Sequence, residues 1–517
     1  METEFTQQRY DTLLQDIFRR FPSVQQQGFS DGAYKPGLER MEAFDEALGH
    51  PSRAFRSIHI AGTNGKGSVA NMLASALGAC GLRTGLYTSP HILDFRERMR
   101  IGGGADGGRG IAPRRFATLY GQADDKPSGM ELAPIPEARR REPKVMLRDT
   151  PVPASAPAAS SPASMVPKEY VFGFLTAWMP WIEEHQLSFF EITTGLAFKW
   201  FADSQVDVAV IETGLGGRLD STNILEPQLS IVTSIGLDHM EQLGHTLAEI
   251  AGEKAGIFKA GVPALVGESG PETDPVFNDK AWMFCPLTYA DQVRPSLWFR
   301  RQAILKEMDL RSSVQEKNLR TVLAAVDLLS DRAGFQALKN AEAVVDGIVH
   351  TARYMDFHGR WERLSAQPYV IADIGHNAHA LRHNFAQLEA MVSSGQFSSL
   401  VIVYGIMADK DLDAILPLMP RDATYIFTAP ATPRALPAAD LLRRFQAFRA
   451  SETVPSCPLR AYAAASVREA VQMAVALAQN LSTQLSRSAS AESPAPALVY
   501  IGGSTFVVAE ALPLFKR

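Results

Sequence analysis

Along most of the chain, short apolar runs alternate with segments whose apolar residues recur every three or four positions. Residues 56–61 are apolar enough for a buried strand, and residues 69–79 hold Ala, Leu and Met at helical spacing. Residues 83–87, 206–211 and 229–234 read as further short strands, the last two close to what a strand covered on both faces requires. Helical spacing predicts helices over residues 8–20, 170–184 and 315–329. A second alternation follows a hinge at residues 352–358: strand 369–372, a helix from Ala378, strands 400–404 and 424–427, helices near Leu441 and Val471, and strand 497–501. The pattern predicts an α/β fold with a mainly parallel sheet in residues 1–352 and a smaller, Rossmann-like α/β domain in residues 353–517.

The first domain is interrupted. From about residue 104 to 164, glycines and arginines give way to a Pro, Ala and Ser stretch that cannot bury a core, which predicts a loosely ordered surface insertion and not a third domain. The remaining positions narrow the class. A chain of 517 residues with 46% hydrophobic content can build two or three sizeable cores. Its formal charge of −5 argues against a nucleic-acid-binding surface and suits a small anionic substrate better. Cys80, Cys285 and Cys457 are too scattered for a disulfide framework or a metal site. No run approaches the roughly 18 apolar residues of a membrane span. The expectation is a cytoplasmic monomer with neither nucleic acid nor membrane as partner.

Candidate chemistry gathers where predicted strands end. Residues 59–69, His-Ile-Ala-Gly-Thr-Asn-Gly-Lys-Gly-Ser-Val, run from strand through a glycine-rich turn into a helix. Thr63, Asn64, Gly65, Lys66, Gly67 and Ser68 can therefore cradle a phosphate: backbone N–H groups converge, the helix N-terminus adds partial positive charge and Lys66 a full one. A glycine turn with a solvated lysine is the plainer alternative. The strand ending near residue 87 runs into Thr88-Ser89-Pro90-His91. Strand 206–211 delivers Glu212, a carboxylate whose desolvation calls for a cation, either a metal or an arginine. Strand 229–234 runs on to Asp238 and His239.

The loop Gly-Thr-Asn-Gly-Lys-Gly-Ser resembles that of the ATP-dependent Mur ligase superfamily and, within it, of the folylpolyglutamate synthase and dihydrofolate synthase family. Gly67 stands where a phosphate loop normally carries its hydroxyl residue, so the resemblance passes the magnesium serine to Ser89, with Glu212 and His239 as the other ligands. It implies a carbamylated Lys254, in an unbroken Glu-Lys-Ala-Gly-Ile sequence, where a bare helical lysine would be solvated. Asn318, in Gln-Glu-Lys-Asn, would contact ATP; so would Arg360 and Asp373 from across a cleft, Asp373 opening the sequence Asp-Ile-Gly-His-Asn that includes His376.

On the folate side, Phe29, Ser30 and Asp31 precede a family-like Gly-Leu-Glu-Arg, and Ser188, Phe189, Phe190 and Glu191 match a pterin-contacting stretch. Paired aromatics beside a carboxylate suit a flat ring with a polar edge, or simply the edge of a core. Leu219, Asp220 and Ser221 complete the expected substrate set. The resemblance thus implies a ligase that joins L-glutamate to folate, and also to dihydropteroate, through an acyl phosphate made with ATP and magnesium. Lys66, His239, Lys254, Arg360 and His376 are its expected catalytic residues. A peptidoglycan-type Mur ligase and a phosphate-loop NTPase switch are the alternatives.

Overall fold

The structure, a computed structural model, describes residues 4–28, 35–104, 162–282, 284–452, 460–488 and 495–515. Phe29, Ser30, Asp31, Cys457 and nearly all of the insertion therefore lie outside the described residues.

Eight strands form the first sheet: β1 (Arg56–Ala61), β2 (Thr84–Tyr87), β3 (Met99–Gly102), β4 (Ser164–Met165), β5 (Val208–Glu212), β6 (Leu229–Val232), β7 (Ala264–Val266) and β8 (Leu287–Tyr289), in the order β4-β3-β2-β5-β1-β6-β7-β8. All neighbours pair in parallel except β2 with β3 and β3 with β4. Alternate side chains of the central strands feed opposite faces, as the two-residue period demands. Ile58, Ile60, Val208 and Val210 enter one core, whereas Tyr87, Ala209 and Ile211 enter the other. Burial on both faces is why these strands read as apolar throughout.

The helix Lys66–Ala79 that follows β1 is buried along most of its length. It lies against the helix Ala341–Val349 so closely that the Ser75 hydroxyl donates to the Gly347 carbonyl at 2.6 Å, and a Cβ at Gly347 would stand 2.6 Å from the Ser75 carbonyl. Small residues at this crossing hold the phosphate-loop helix against the body of the sheet.

The chain changes bodies between Met355, in the first core, and Trp361, in the next. The helix Thr351–Met355 thus carries the first body a few residues past position 352, because Met355 still packs beneath the first sheet. The second sheet comprises β9 (Glu362–Ala366), β10 (Tyr369–Asp373), β11 (Ser399–Tyr404), β12 (Ala423–Phe427), β13 (Ala461–Ala463) and β14 (Ala497–Gly502), ordered β13-β12-β11-β14-β10-β9. Only β9 is antiparallel to its neighbour. Gln387 ties the bodies together away from the sheet ends, accepting from the Ser313 N–H at 2.7 Å and donating to the Arg311 carbonyl at 3.1 Å. Among the described residues no helix is long and apolar enough to cross a membrane.

The two ends of the insertion meet in this fold. β3 and β4 pair antiparallel, with Arg100 opposite Met165 and Ile101 opposite Ser164, so the sequence between them replaces a hairpin turn at the sheet edge. Exchanging residues 105–161 for a short glycine-containing turn is expected to leave the melting temperature unchanged and the activity within about twofold of the parent, since hairpins close over two to five residues. A shortened protein that melts normally but has lost turnover would place the insertion in the site.

Candidate active site

The loop expected to cradle phosphate is built by close approach. Gly62 has φ 148° and a Cβ there would lie 2.0 Å from Thr233 Oγ1; Gly65 has φ 87° and its Cβ would lie 2.5 Å from Asn318 Oδ1. Any side chain at either position would collide as well as strain the backbone. The end of β6 braces the loop from beside it. Thr63 N–H donates to the Ser234 carbonyl at 2.7 Å, and the Thr233 and Ser234 hydroxyls donate to the Asn64 carbonyl at 2.7 and 3.0 Å. Asn318, donating to Gln315 at 2.8 Å, thus stands against the phosphate loop, and Ser68 is buried in the first turn of the helix.

Two lysines converge on one carbonyl of this loop. Lys66 Nζ donates to Gly62 O at 3.0 Å, and Lys254 Nζ donates to the same oxygen at 2.9 Å. Lys254 is only 3% exposed, so it is not the solvated helical lysine that its position alone suggests. Burial, with the neighbouring Lys66 charge, depresses its pKa to about 7.

Glu212 closes β5 beside the loop, its carboxylate 3.9 Å from Lys66 Nζ and accepting from Ser89 N–H at 3.4 Å. Burial raises its pKa to about 6, although Lys66, Arg360 and Arg98 all pull it down. Arg360 arrives from the second body: a Cβ built on Gly67 would lie 3.6 Å from Glu212 Oε2 and 3.7 Å from Arg360 Nη2. Gly67 therefore lies beside both a carboxylate of the first body and a guanidinium of the second.

The same cleft edge carries Asp238 and His239. Asp238 accepts from Lys410 Nζ at 3.1 Å and Asn377 Nδ2 at 3.1 Å. Burial alone would raise its pKa, but His239, Lys410 and His376 hold it well below the usual carboxylate range. His239 caps the short helix Met240–Leu243 in a left-handed conformation, φ 52°. Burial lowers its pKa to about 4, so its imidazole is neutral at pH 7. A neutral imidazole, a buried carboxylate and a serine suit a hard divalent cation that keeps several waters. Among the described residues no three His, Cys, Asp or Glu side chains gather as a metal site of their own.

Asp373 serves the second body. Its oxygens accept from Trp361 N–H at 2.9 Å, Gly375 N–H at 2.7 Å and Asn384 Nδ2 at 2.7 Å, which fixes the turn presenting Arg360. His376 Nδ1 lies 3.1 Å from the Ile374 carbonyl, which can only accept, so Nδ1 carries the proton and Nε2 is left as an acceptor.

A cleft of about 230 Å³, open to solvent, joins the two bodies. It brings together Ser89, Ser188, Phe189, Phe190, Leu219, Asp220, Ser221, His239 and His376. Glu191 is not brought there: one oxygen accepts from Ser188 N–H at 2.6 Å and the other from Arg40 Nε at 3.0 Å, a helix cap with a buried ion pair. Asp220 reaches the wall, yet its carboxylate staples the loop after β5, accepting from Gly214, Leu215 and Thr222 N–H at 2.8, 2.9 and 3.1 Å. Arg98, Lys410, Arg434 and Ser504 also line the cleft. Arg434 donates to the Val24 and Gln25 carbonyls at 3.1 and 2.7 Å, closing one end of the cleft across a separation that no local pattern reveals.

The tip of the Phe190 ring abuts Gly214, where a Cβ would come within 2.5 Å of it. Gly214→Ala is expected to drive the ring into the cleft and raise the KM for the ring-bearing substrate about tenfold, leaving the KM for nucleotide unchanged. Steady-state kinetics with each substrate varied in turn check this.

Residues 359–485 match the family model described as Mur ligase, glutamate ligase domain. The dihydrofolate synthase/folylpolyglutamate synthase of Mycobacterium tuberculosis is 30% identical over 93% of this chain and 90% of its own length. The Bacillus subtilis protein of the same name is 30% identical over 79% of this chain and 84% of its own. Among solved structures, Mycobacterium tuberculosis folylpolyglutamate synthase complexed with ADP and AMPPCP superposes with a TM-score of 0.68 at 25% identity, covering 98% of this chain and 99% of that one.

Proposed function

The chain belongs to the dihydrofolate synthase/folylpolyglutamate synthase family, and from that membership we propose how its residues divide the work of an ATP-dependent ligase that adds L-glutamate to folates. The observation that carries the reading is the cleft itself: an aromatic floor of Phe189 and Phe190 on one body faces Lys410 and Ser504 on the other, with Ser89 linking it to Glu212 and the phosphate loop. The pterin ring of the folate stacks on the floor, the carboxylate at the far end of the molecule points toward the phosphate loop, and glutamate lies against Lys410 and Ser504.

In the first step a carboxylate oxygen of the folate attacks the γ-phosphorus of ATP, and the bond to the β-phosphate breaks to give an acyl phosphate and ADP. Lys66 and Arg360 neutralise the charge that this transfer spreads over the phosphoryl oxygens. In the second step the glutamate nitrogen bonds to the acyl carbon and phosphate departs. His376, with Nε2 as an acceptor, takes the proton from the amine. Ser89, Glu212 and His239 are the residues that hold magnesium, which supplies further positive charge at the phosphates when bound. Lys254, buried and partly deprotonated near pH 7, fits a carbamate.

Dihydropteroate is a second acceptor in this reading, because the ring floor sees only the pterin end. The reading takes the protein as a monomer, and the free thiols of Cys80 and Cys285 suit a reducing cytoplasm. The test is ATP turnover with dihydropteroate and with tetrahydrofolate, each with and without glutamate. ADP release that needs both acceptor and glutamate is expected, whereas release with neither would mark a phosphate-loop switch and overturn the assignment.

A further inference from the structure

Asn377 stands where the two bodies meet. It precedes the helix Ala378–Ser393, and its Oδ1 accepts from the Ala380 N–H at 2.9 Å as the helix cap. Because that N–H can only donate, the orientation of the amide is settled and Nδ2 points away from the helix. Nδ2 then donates twice, to Asn64 Oδ1 of the phosphate loop at 3.2 Å and to Asp238 Oδ2 at 3.1 Å. Asn64 returns a bond to the same body, its Nδ2 donating to His379 Nδ1 at 2.8 Å. The second Asp238 oxygen accepts from Lys410 at 3.1 Å, and Lys410 lines the cleft.

One line of hydrogen bonds, Asn64 to Asn377 to Asp238 to Lys410, therefore runs from the phosphate loop to the wall assigned to glutamate. A helix cap needs only a side-chain oxygen, which Ser, Thr or Asp supplies as well as Asn. The NH2 group that binds two acceptors on the opposite body has no part in capping.

We propose that Asn377 is a positioning residue that latches the second body onto the phosphate loop, so that the glutamate wall assembles in register with a correctly placed Asn64; this rests on the ligase reading above. The latch explains why a residue buried to 7% exposure carries an amide where a hydroxyl would cap the helix. It also assigns Asn64 a structural reach beyond nucleotide contact.

Asn377→Ser in the full chain tests it, since serine keeps the cap and removes both bridging donors. The melting temperature is expected to stay at the parent value while kcat/KM for glutamate falls about 30-fold, the combined effect of two lost hydrogen bonds. Asn64→Ala should lose a similar factor, and the double variant should lose less than the product of the two singles, because the bond between Asn64 and Asn377 is common to both. Small-angle scattering requires no turnover: Asn377→Ser should show a larger radius of gyration than the parent protein. If the losses of the two variants multiply, or if Asn377→Ser scatters and ligates like the parent, the latch is overturned while the ligase reading stands. A parent protein that makes no glutamate-dependent product would sink the ligase reading instead, and scattering would still decide the latch.

Discussion

Replacing Lys66 with alanine is expected to lower the rate of ligation about 100-fold or more at saturating ATP, with the fold intact. Its side chain contributes little packing: the ammonium folds back onto the Gly62 and Thr63 carbonyls at 3.0 and 3.4 Å, at the first position of its helix. What it contributes is charge beside Glu212, in a wall where Arg360 and Arg98 also act on that carboxylate. Arginine should not rescue, because a planar fork of five donors cannot take the place of a compact ammonium between two carbonyls. The measurement is glutamate-dependent product formation alongside a thermal melt. More than about a tenth of the parent rate would dismiss Lys66 as a phosphate ligand, since removal of one preorganised donor ordinarily costs at least 10²-fold.

Lys66 is legible in the sequence because its chemistry is local: strand, glycine turn and helix N-terminus are consecutive, and close approach at Gly62 and Gly65 requires the glycines that mark the turn. Glu212 and His239 are legible for a related reason, since apolar runs place them at or just beyond the ends of parallel strands, where open sheets present ligands. Glu191 serves a helix cap, and the sequence carries the signal for that role. Ser188-x-x-Glu191 ahead of an apolar helix is a capping box, and the fully buried carboxylate is held there by the Ser188 N–H and Arg40.

Other features have no local signal. Asn64 and Asn377 meet across most of the chain, as do Arg434 and the Val24 carbonyl, and nothing in the periodicity around either residue announces its partner. The short strands β7 and β8 hold three residues each, too few for an alternation to declare itself. Lys254 lies between these cases. Ile250, Ala251, Lys254 and Ala255 are the buried residues of their helix, so the lysine falls on the apolar stripe, and helical periodicity by itself argues against its solvation.

That burial sharpens the last prediction. Carbamate formation joins a neutral amine nitrogen to the carbon of CO₂ with loss of a proton, so it needs an amine that is deprotonated near neutrality. Lys254, with its pKa depressed to about 7, meets that condition, and its partner Gly62 O can still be reached by the one N–H that a carbamate retains. The product would place negative charge close to Lys66, which now repels it. Lys254→Ala and Lys254→Met should each cost about 10–100-fold in turnover, the range for groups that orient a metal through its ligands. Acetate should restore part of the activity to Lys254→Ala, whose truncated side chain leaves room for a carboxylate, and none to Lys254→Met, whose side chain fills that room. The parent protein should lose activity reversibly in buffer stripped of CO₂ and regain it with bicarbonate. The loss should be greater at pH 6.5 than at pH 8, because protonation below a pKa of about 7 withdraws the reactive amine. Turnover by Lys254→Met at the parent rate, indifferent to bicarbonate, would leave Lys254 as a buried donor to the phosphate loop and nothing more.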